Sequence, residues 1–300
     1  MDHDQLFKEL LQTFLPEFVA LFLPAEAAQI DWSSVELLDK ALFTDLLQGA
    51  RRSVDLVARV RTSTGIPELL LVHVEVESAP RGDFPQRMYE YHSLLRLRHR
   101  LPVLPIAVFL LPEGSGTGGS YEEYVFGLRT IRFEYHLVML PDVALRSLPV
   151  ENPVTHALAP LVSGHLNDPV ELTLESLAGI AHTAQDPARQ ELLGSFLGAY
   201  VRLTAAQQAD LTRRLADNEN REVRIMMTIW RQQGIEEGRL DGMRESIRRV
   251  LDARLGTVPT RVLDALAGIT DTTALANLTT AAASADSNEA FEAALARYRE

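Results

Sequence analysis

A chain of 300 residues and 33.4 kDa, 46% hydrophobic and 23% charged, has material for one sizeable core plus an appendage. It contains no cysteine, which excludes disulfides, thiolate zinc sites, iron–sulfur clusters and cysteine nucleophiles, so any metal must sit on oxygen or imidazole. A formal net charge of -12 and a pI near 5.2 argue against a passive, whole-surface nucleic-acid binder, because such binding rests on many Lys and Arg contacts to phosphate; an enzyme whose cleft alone is basic is still allowed.

The first stretch, MDHDQLFKELLQTFLPEF, has acid where a secretory signal would carry base, and Glu9, Pro16 and Glu17, with Pro24 just beyond, interrupt the apolar run. A cytoplasmic protein without a membrane partner is the expectation. From Asp4 to Leu23 the apolar residues Leu6, Phe7, Leu10, Leu11, Phe14, Phe18, Leu21 and Phe22 recur at helical spacing, which predicts one or two helices interrupted at Pro16, with Asp4 as N-cap. SVELLDKALFTDLLQ is ambiguous between strand and helix. SVDLVARV alternates, with Val54, Leu56, Ala58 and Val60 on one face and Asp55, Val57 and Arg59 on the other. TSTGIPE is a turn, and residues 69 to 78, LLLVHVEVES, form the next strand. There Leu71, His73, Glu75 and Glu77 share a face. PQRMYEYHSLLRLRHR returns to helical period, and LPVLPIAVFLLP is a short buried strand between prolines. GSGTGGS is a flexible loop, followed by alternating strands in YVFGL and IRFEYHLVML.

Residues 1 to 162 therefore read as one mixed α/β domain. Beyond them the strand signal fades into helices, giving a helical connector from 163 to 233 and a C-terminal helical domain from 234 to 300. Gly234, Gly238 and Gly242 recur every four residues, which reads either as a close helix contact, between subunits for example, or as a loosely helical linker. EGSGTGGSYEE lacks the Gly-Lys-Ser/Thr ending of a phosphate loop, and no Gly-x-Ser-x-Gly elbow marks a serine nucleophile.

The acids in the strand pair carry the functional argument. With TSTGIPE as the hairpin centre, Asp55 and Glu75 are equidistant from Gly65, so the simplest antiparallel register opposes them on one face, with Cβ atoms roughly 5 Å apart. Glu77 adds a third acid to the same track. Opposed like charges destabilise a sheet, so something must offset them: a shared proton, a basic partner or a divalent cation. Two acids at i, i+2 on a strand are most often a solvated face, but Leu69 and Leu71 share this one, which suggests a cleft. The cluster is hard oxygen ligation of the kind that suits Mg²⁺ or Mn²⁺. His73 lies on the same track, as a ligand, an acid–base group or a satisfied core histidine.

The succession HDQLFKEL, DLVARV, HVEVES, FPQRMYEY and LPVLPIAV resembles the Rpn family of recombination-promoting nucleases and putative transposases, within the PD-(D/E)XK nuclease superfamily. The similarity covers roughly the first 150 residues, and residues near 234 to 285 resemble a helical domain of unknown function that often trails such proteins. The resemblance implies a PD-(D/E)XK restriction-endonuclease-like core, a mixed sheet flanked by helices. It also implies a divalent-metal-dependent DNA endonuclease associated with recombination or transposition. In it Asp55 and Glu75 match the two metal-binding acids, and Glu77, which would act as third ligand or water-orienting group, stands where the superfamily usually has Lys and Rpn-like sequences commonly have Gln. The missing positive charge would come from Lys8, one of only two lysines in the chain, or from Arg87. Arg51, Arg52, Arg96, Arg98 and Tyr91 are the candidate nucleic-acid contacts, and a homodimer through the C-terminal helices would let the enzyme cut both strands. The competing expectation is a nuclease-fold protein that no longer cleaves and serves as a nucleic-acid-binding or protein-interaction module.

Overall fold

Five of the apolar residues in the first helical stretch, Phe7, Leu10, Leu11, Phe14 and Phe18, are fully buried. A helix that is apolar around so much of its circumference needs cover on more than one side, and this requirement organises the first part of the chain. The computed structural model describes residues 3–38, 55–63, 68–77, 82–110, 119–164, 166–184, 186–217 and 220–298. Helix α1 spans His3–Phe22 and departs from helical geometry at Phe14 (φ -123°, ψ 27°), just ahead of Pro16, whose ring cannot share a regular helix with the preceding turn. It begins at His3, so Asp4 lies within its first turn and is not the N-cap that the sequence predicts.

A short helix α2 (Pro24–Ala27) leads into the strands β1 (Ile30–Leu37), β2 (Leu56–Thr62) and β3 (Leu69–Glu77), then helix α3 (Phe84–His99) and strand β4 (Val103–Phe109). An antiparallel ribbon of β5 (Ser120–Val125) and β6 (Leu128–Glu134) follows, and then strand β7 (His136–Met139). The main sheet has the order β1-β2-β3-β4-β7. β1–β2 and β2–β3 are antiparallel, whereas β3–β4 and β4–β7 are parallel. α3 returns the chain across the sheet so that β4 can run alongside β3 in the same direction, as a parallel pair requires. This is an α/β unit with a mixed five-stranded sheet flanked by helices.

Two strands depart from the sequence reading. β1 falls in part on SVEL, the ambiguous segment, and its register shifts between Asp31 and Glu36, a bulge that spoils the alternation by which a strand is recognised. IRFEYHLVML is two strands: the part rich in Arg and Glu pairs with β5, while Leu137 and Val138 pair with β4, the break falling at the buried Tyr135.

The first unit, Met1–Met226, continues beyond residue 162. Helices α4 (Pro153–Leu158), α5 (Pro169–Thr183), α6 (Pro187–Tyr200) and α7 (Ala205–Leu215) belong to it. α4 and α6 pack on α1, with Phe7 edge-on to Phe196 at 5.2 Å between ring centroids, while α1 also touches β2 and β3. The second unit, Met227–Glu300, has its own core, built by Ile247 and Leu251 near the end of α8 (Arg221–Leu255) and by Val262, Leu275, Leu278 and Phe291 from α9 (Thr260–Ala267), α10 (Thr272–Ser284) and α11 (Asn288–Leu295). Gly234, Gly238 and Gly242 all fall inside α8, and among the described residues a Cβ at Gly242 would meet nothing within 4 Å, so none of them requires glycine there. Among the described residues no helix is long and apolar enough to cross a membrane.

Candidate active site

β2 and β3 pair with Leu56 opposite Val74 and Val57 opposite His73. One step further in this register Asp55 stands opposite Glu75, as the count from the hairpin centre predicts; Gly65 itself lies outside the described residues. The two acids cap each other's strand. Asp55 N donates to Glu75 Oε1 at 3.1 Å, and Val76 N donates to Asp55 Oδ2 at 2.9 Å. Each carboxylate thus takes a charge-assisted hydrogen bond from the backbone beside its neighbour, which offsets part of their mutual repulsion.

Lys8 offsets more of it. Because α1 lies against β2 and β3, the Lys8 ammonium reaches Asp55 Oδ1 at 2.9 Å, with the two side chains 21% and 13% exposed. The first helix therefore brings a positive charge to Asp55. Glu77 forms an ion pair with Arg87, whose guanidinium carbon stands 5.1 Å from the centre of the Phe84 ring. Of the five predicted catalytic residues, Lys8, Asp55 and Glu75 are linked directly, and Glu77 with Arg87 forms a second pair one alternation along β3.

Glu75 is the unusual member. It is 4% exposed, and burial raises its carboxyl above the ordinary 4.5; a hydrogen bond from His73 opposes that rise, and the nearby Asp55 charge adds to it. His73 is wholly buried, with Nε2 2.9 Å from Glu75 Oε1. The sequence leaves three roles open for His73 and does not by itself place it in the site. Its position on the inner track, two residues before Glu75, was the available signal.

The predicted nucleic-acid contacts fare differently. Tyr91 is 3% exposed and packs with Val57, Leu71 and Leu95 between α3 and the sheet, its ring edge-on to His73. It is a core residue, not a surface for DNA, because the helix face carrying Tyr91 and Leu95 is the face laid on the sheet. Tyr91→Ala should accordingly destabilise the first unit by about 3–5 kcal/mol, read as a lower denaturation midpoint, before any effect on DNA affinity is seen. Arg96 and Arg98 are exposed in the last turn of α3. At about 1.5 Å rise per residue, Arg98 lies ~16 Å along the helix from Arg87, so α3 does not bring these arginines to the carboxylates. Arg51 and Arg52 lie outside the described residues.

Among the described residues no group of three His, Asp or Glu is arranged to hold a metal ion. The pair Asp55 and Glu75 nevertheless offers what Mg²⁺ or Mn²⁺ takes from a protein, one or two hard carboxylates with the remaining positions left to water and phosphate. Glu75 is a buried acid paired, among the described residues, with an imidazole and a backbone N–H, so a cation would relieve its desolvation. Asp55 would take part by sharing, or taking over, the oxygen that Lys8 holds. On these terms the residues fit such an ion. Compared with protein-family models, with curated proteins and with solved structures, the chain gives no significant match.

Proposed function

We propose that this chain is a divalent-metal-dependent DNA endonuclease of the PD-(D/E)XK type, of the kind associated with recombination or transposition. The observation that carries the reading is the mutual capping of Asp55 and Glu75 at the end of a central strand, with Lys8 on Asp55. The mixed sheet flanked by helices is the architecture that the Rpn resemblance implies, and the two acids it would use are neighbours in space.

Asp55 and Glu75 would hold Mg²⁺ or Mn²⁺. When bound, the ion supplies Lewis acidity toward a phosphodiester and lowers the pKa of water. The chain's own groups do the rest. Lys8, released from Asp55, places a positive charge beside the position of the scissile phosphate, where charge builds in the transition state. Arg87 keeps Glu77 engaged, so the third acid does not add its repulsion to the phosphate. The burial of Glu75 keeps one side of the site dry and its electrostatics strong. A homodimer through the C-terminal helices is part of the same proposal, and sedimentation velocity of the full chain tests it.

One observation favours the alternative of an inactive nuclease-fold binding module. Both oxygens of Asp55 and the Glu77 carboxylate already have partners within the protein. Plasmid nicking separates the two readings. The nuclease gives nicked circles with Mn²⁺ or Mg²⁺, none with chelator, and none from Asp55→Ala. The module gives DNA binding without nicking in every case.

A further inference from the structure

His73 is difficult to account for as a core residue. Its side chain is wholly buried on the face where Leu71, Val57, Tyr91 and Leu95 pack, and its Nδ1 is buried without a hydrogen-bond partner among the described residues. Leucine there would bury no polar atom, and a buried polar group lacking a partner is destabilising. The polar contact shown for the ring is the one from Nε2 to Glu75 Oε1, at 2.9 Å. A carboxylate oxygen accepts, so the ring donates from Nε2. Asp55 N donates to the same oxygen at 3.1 Å. Both hydrogen bonds shown to Glu75 thus converge on Oε1, from two directions, one along the strand and one across to β2.

Two donors on one oxygen restrain the side-chain torsions of a glutamate, and neither of these two bonds uses Oε2. We infer that His73 is a positioning residue: it clamps Glu75 by Oε1 so that Oε2 is presented, already oriented, to a hard divalent cation. The inference rests on the metal-site reading above and adds to it a residue that touches neither ion nor substrate. The role explains why an imidazole with a bare nitrogen is kept in an apolar layer, since partners of metal ligands that fix their orientation typically govern affinity by about 10–100-fold.

The test uses the full chain in three forms: wild type, His73→Leu, which removes the donor, and His73→Gln, whose amide N–H can still reach Oε1. Two measurements are made on each, the Glu75 side-chain conformation in crystals grown without divalent cations and the Mn²⁺ affinity by calorimetric titration, with melting temperatures alongside. The expected result is a Glu75 carboxylate that leaves its position in His73→Leu and keeps it in His73→Gln. Mn²⁺ affinity is expected to fall by about 10–100-fold in His73→Leu and to recover in His73→Gln. Affinity that merely follows melting temperature across the three overturns the inference, and so does a Glu75 that stays in place in His73→Leu. If the wild type binds no Mn²⁺, the metal reading fails, and the cation-free conformation of Glu75 still decides the positioning role.

Discussion

Glu75→Gln should melt at a higher temperature than the wild type, bind Mn²⁺ more weakly by over about 100-fold, and leave plasmid DNA intact. The first effect follows from burial. Glu75 is 4% exposed, and the cost of desolvating its charge raises its pKa despite the hydrogen bond from His73. A glutamine oxygen accepts the same bonds from Asp55 N and His73 Nε2 without a charge to desolvate, so the cation-free protein gains on the order of 1 kcal/mol, the usual scale when a strained functional group is neutralised. The pH dependence has a definite sign. A carboxyl whose folded pKa lies above its unfolded value binds more protons in the folded state, so its stabilising contribution is complete below the unfolded value and is lost as pH rises through the folded one. Denaturant midpoints measured upward from the ordinary carboxylate range should therefore fall in the wild type relative to Glu75→Gln. The same substitution removes a charge from the ion's ligand set, which accounts for the loss of binding and cleavage. A Gln variant that is less stable than wild type and still cleaves would place Glu75 among ordinary structural acids.

What could be read in advance follows the local physics of each segment. The Asp55–Glu75 register was legible because β2 and β3 alternate cleanly and the turn between them is short, so a symmetric count reaches the right partners. α3 and β4 were legible from helical period and from a short apolar run bounded by proline. β1 was not, since its bulge and half-exposed polar residues give neither period. The fate of IRFEYHLVML was not legible either: the sequence shows two adjacent alternating stretches and nothing that says one leaves for a ribbon while the other joins the sheet. Tyr91 and Arg87 stand one turn apart on α3, so periodicity alone puts them on one face. In the fold, Arg87 turns to Glu77 at the rim and Tyr91 lies beneath the sheet's cover. That distinction depends on how deep the helix sits, which periodicity does not encode. His73 escaped because a single histidine among apolar residues reads alike whether it fills space or holds a neighbour. The Lys8 contact was legible only as a choice among few cations, because a pairing between a first helix and a strand start so far along the chain is set by packing.

Lys8 gives the second large effect. Its ammonium and a divalent cation would compete for the same oxygen, Asp55 Oδ1, where the ion pair stands at 2.9 Å with both side chains mostly buried. Lys8→Met removes the competitor, so Mn²⁺ should bind as tightly as in the wild type or more tightly. Cleavage should nevertheless slow by about 100- to 1000-fold, the usual cost of removing one preorganised positive or hydrogen-bonding group from a transition state. Lys8→Arg keeps the charge but not the compact ammonium, and should recover part of the rate. Without its partner, Asp55 is left mostly buried beside Glu75, so cation-free Lys8→Met should also be less stable and should regain stability as Mn²⁺ is added. A lysine serving only as a structural counterion predicts the loss of stability and its recovery with Mn²⁺, but no loss of rate once Mn²⁺ is saturating. Single-turnover nicking at saturating Mn²⁺, set beside calorimetry on the same protein, separates these outcomes, because tighter binding with slower cleavage can arise only if the charge acts on the phosphate after the ion has displaced it from Asp55.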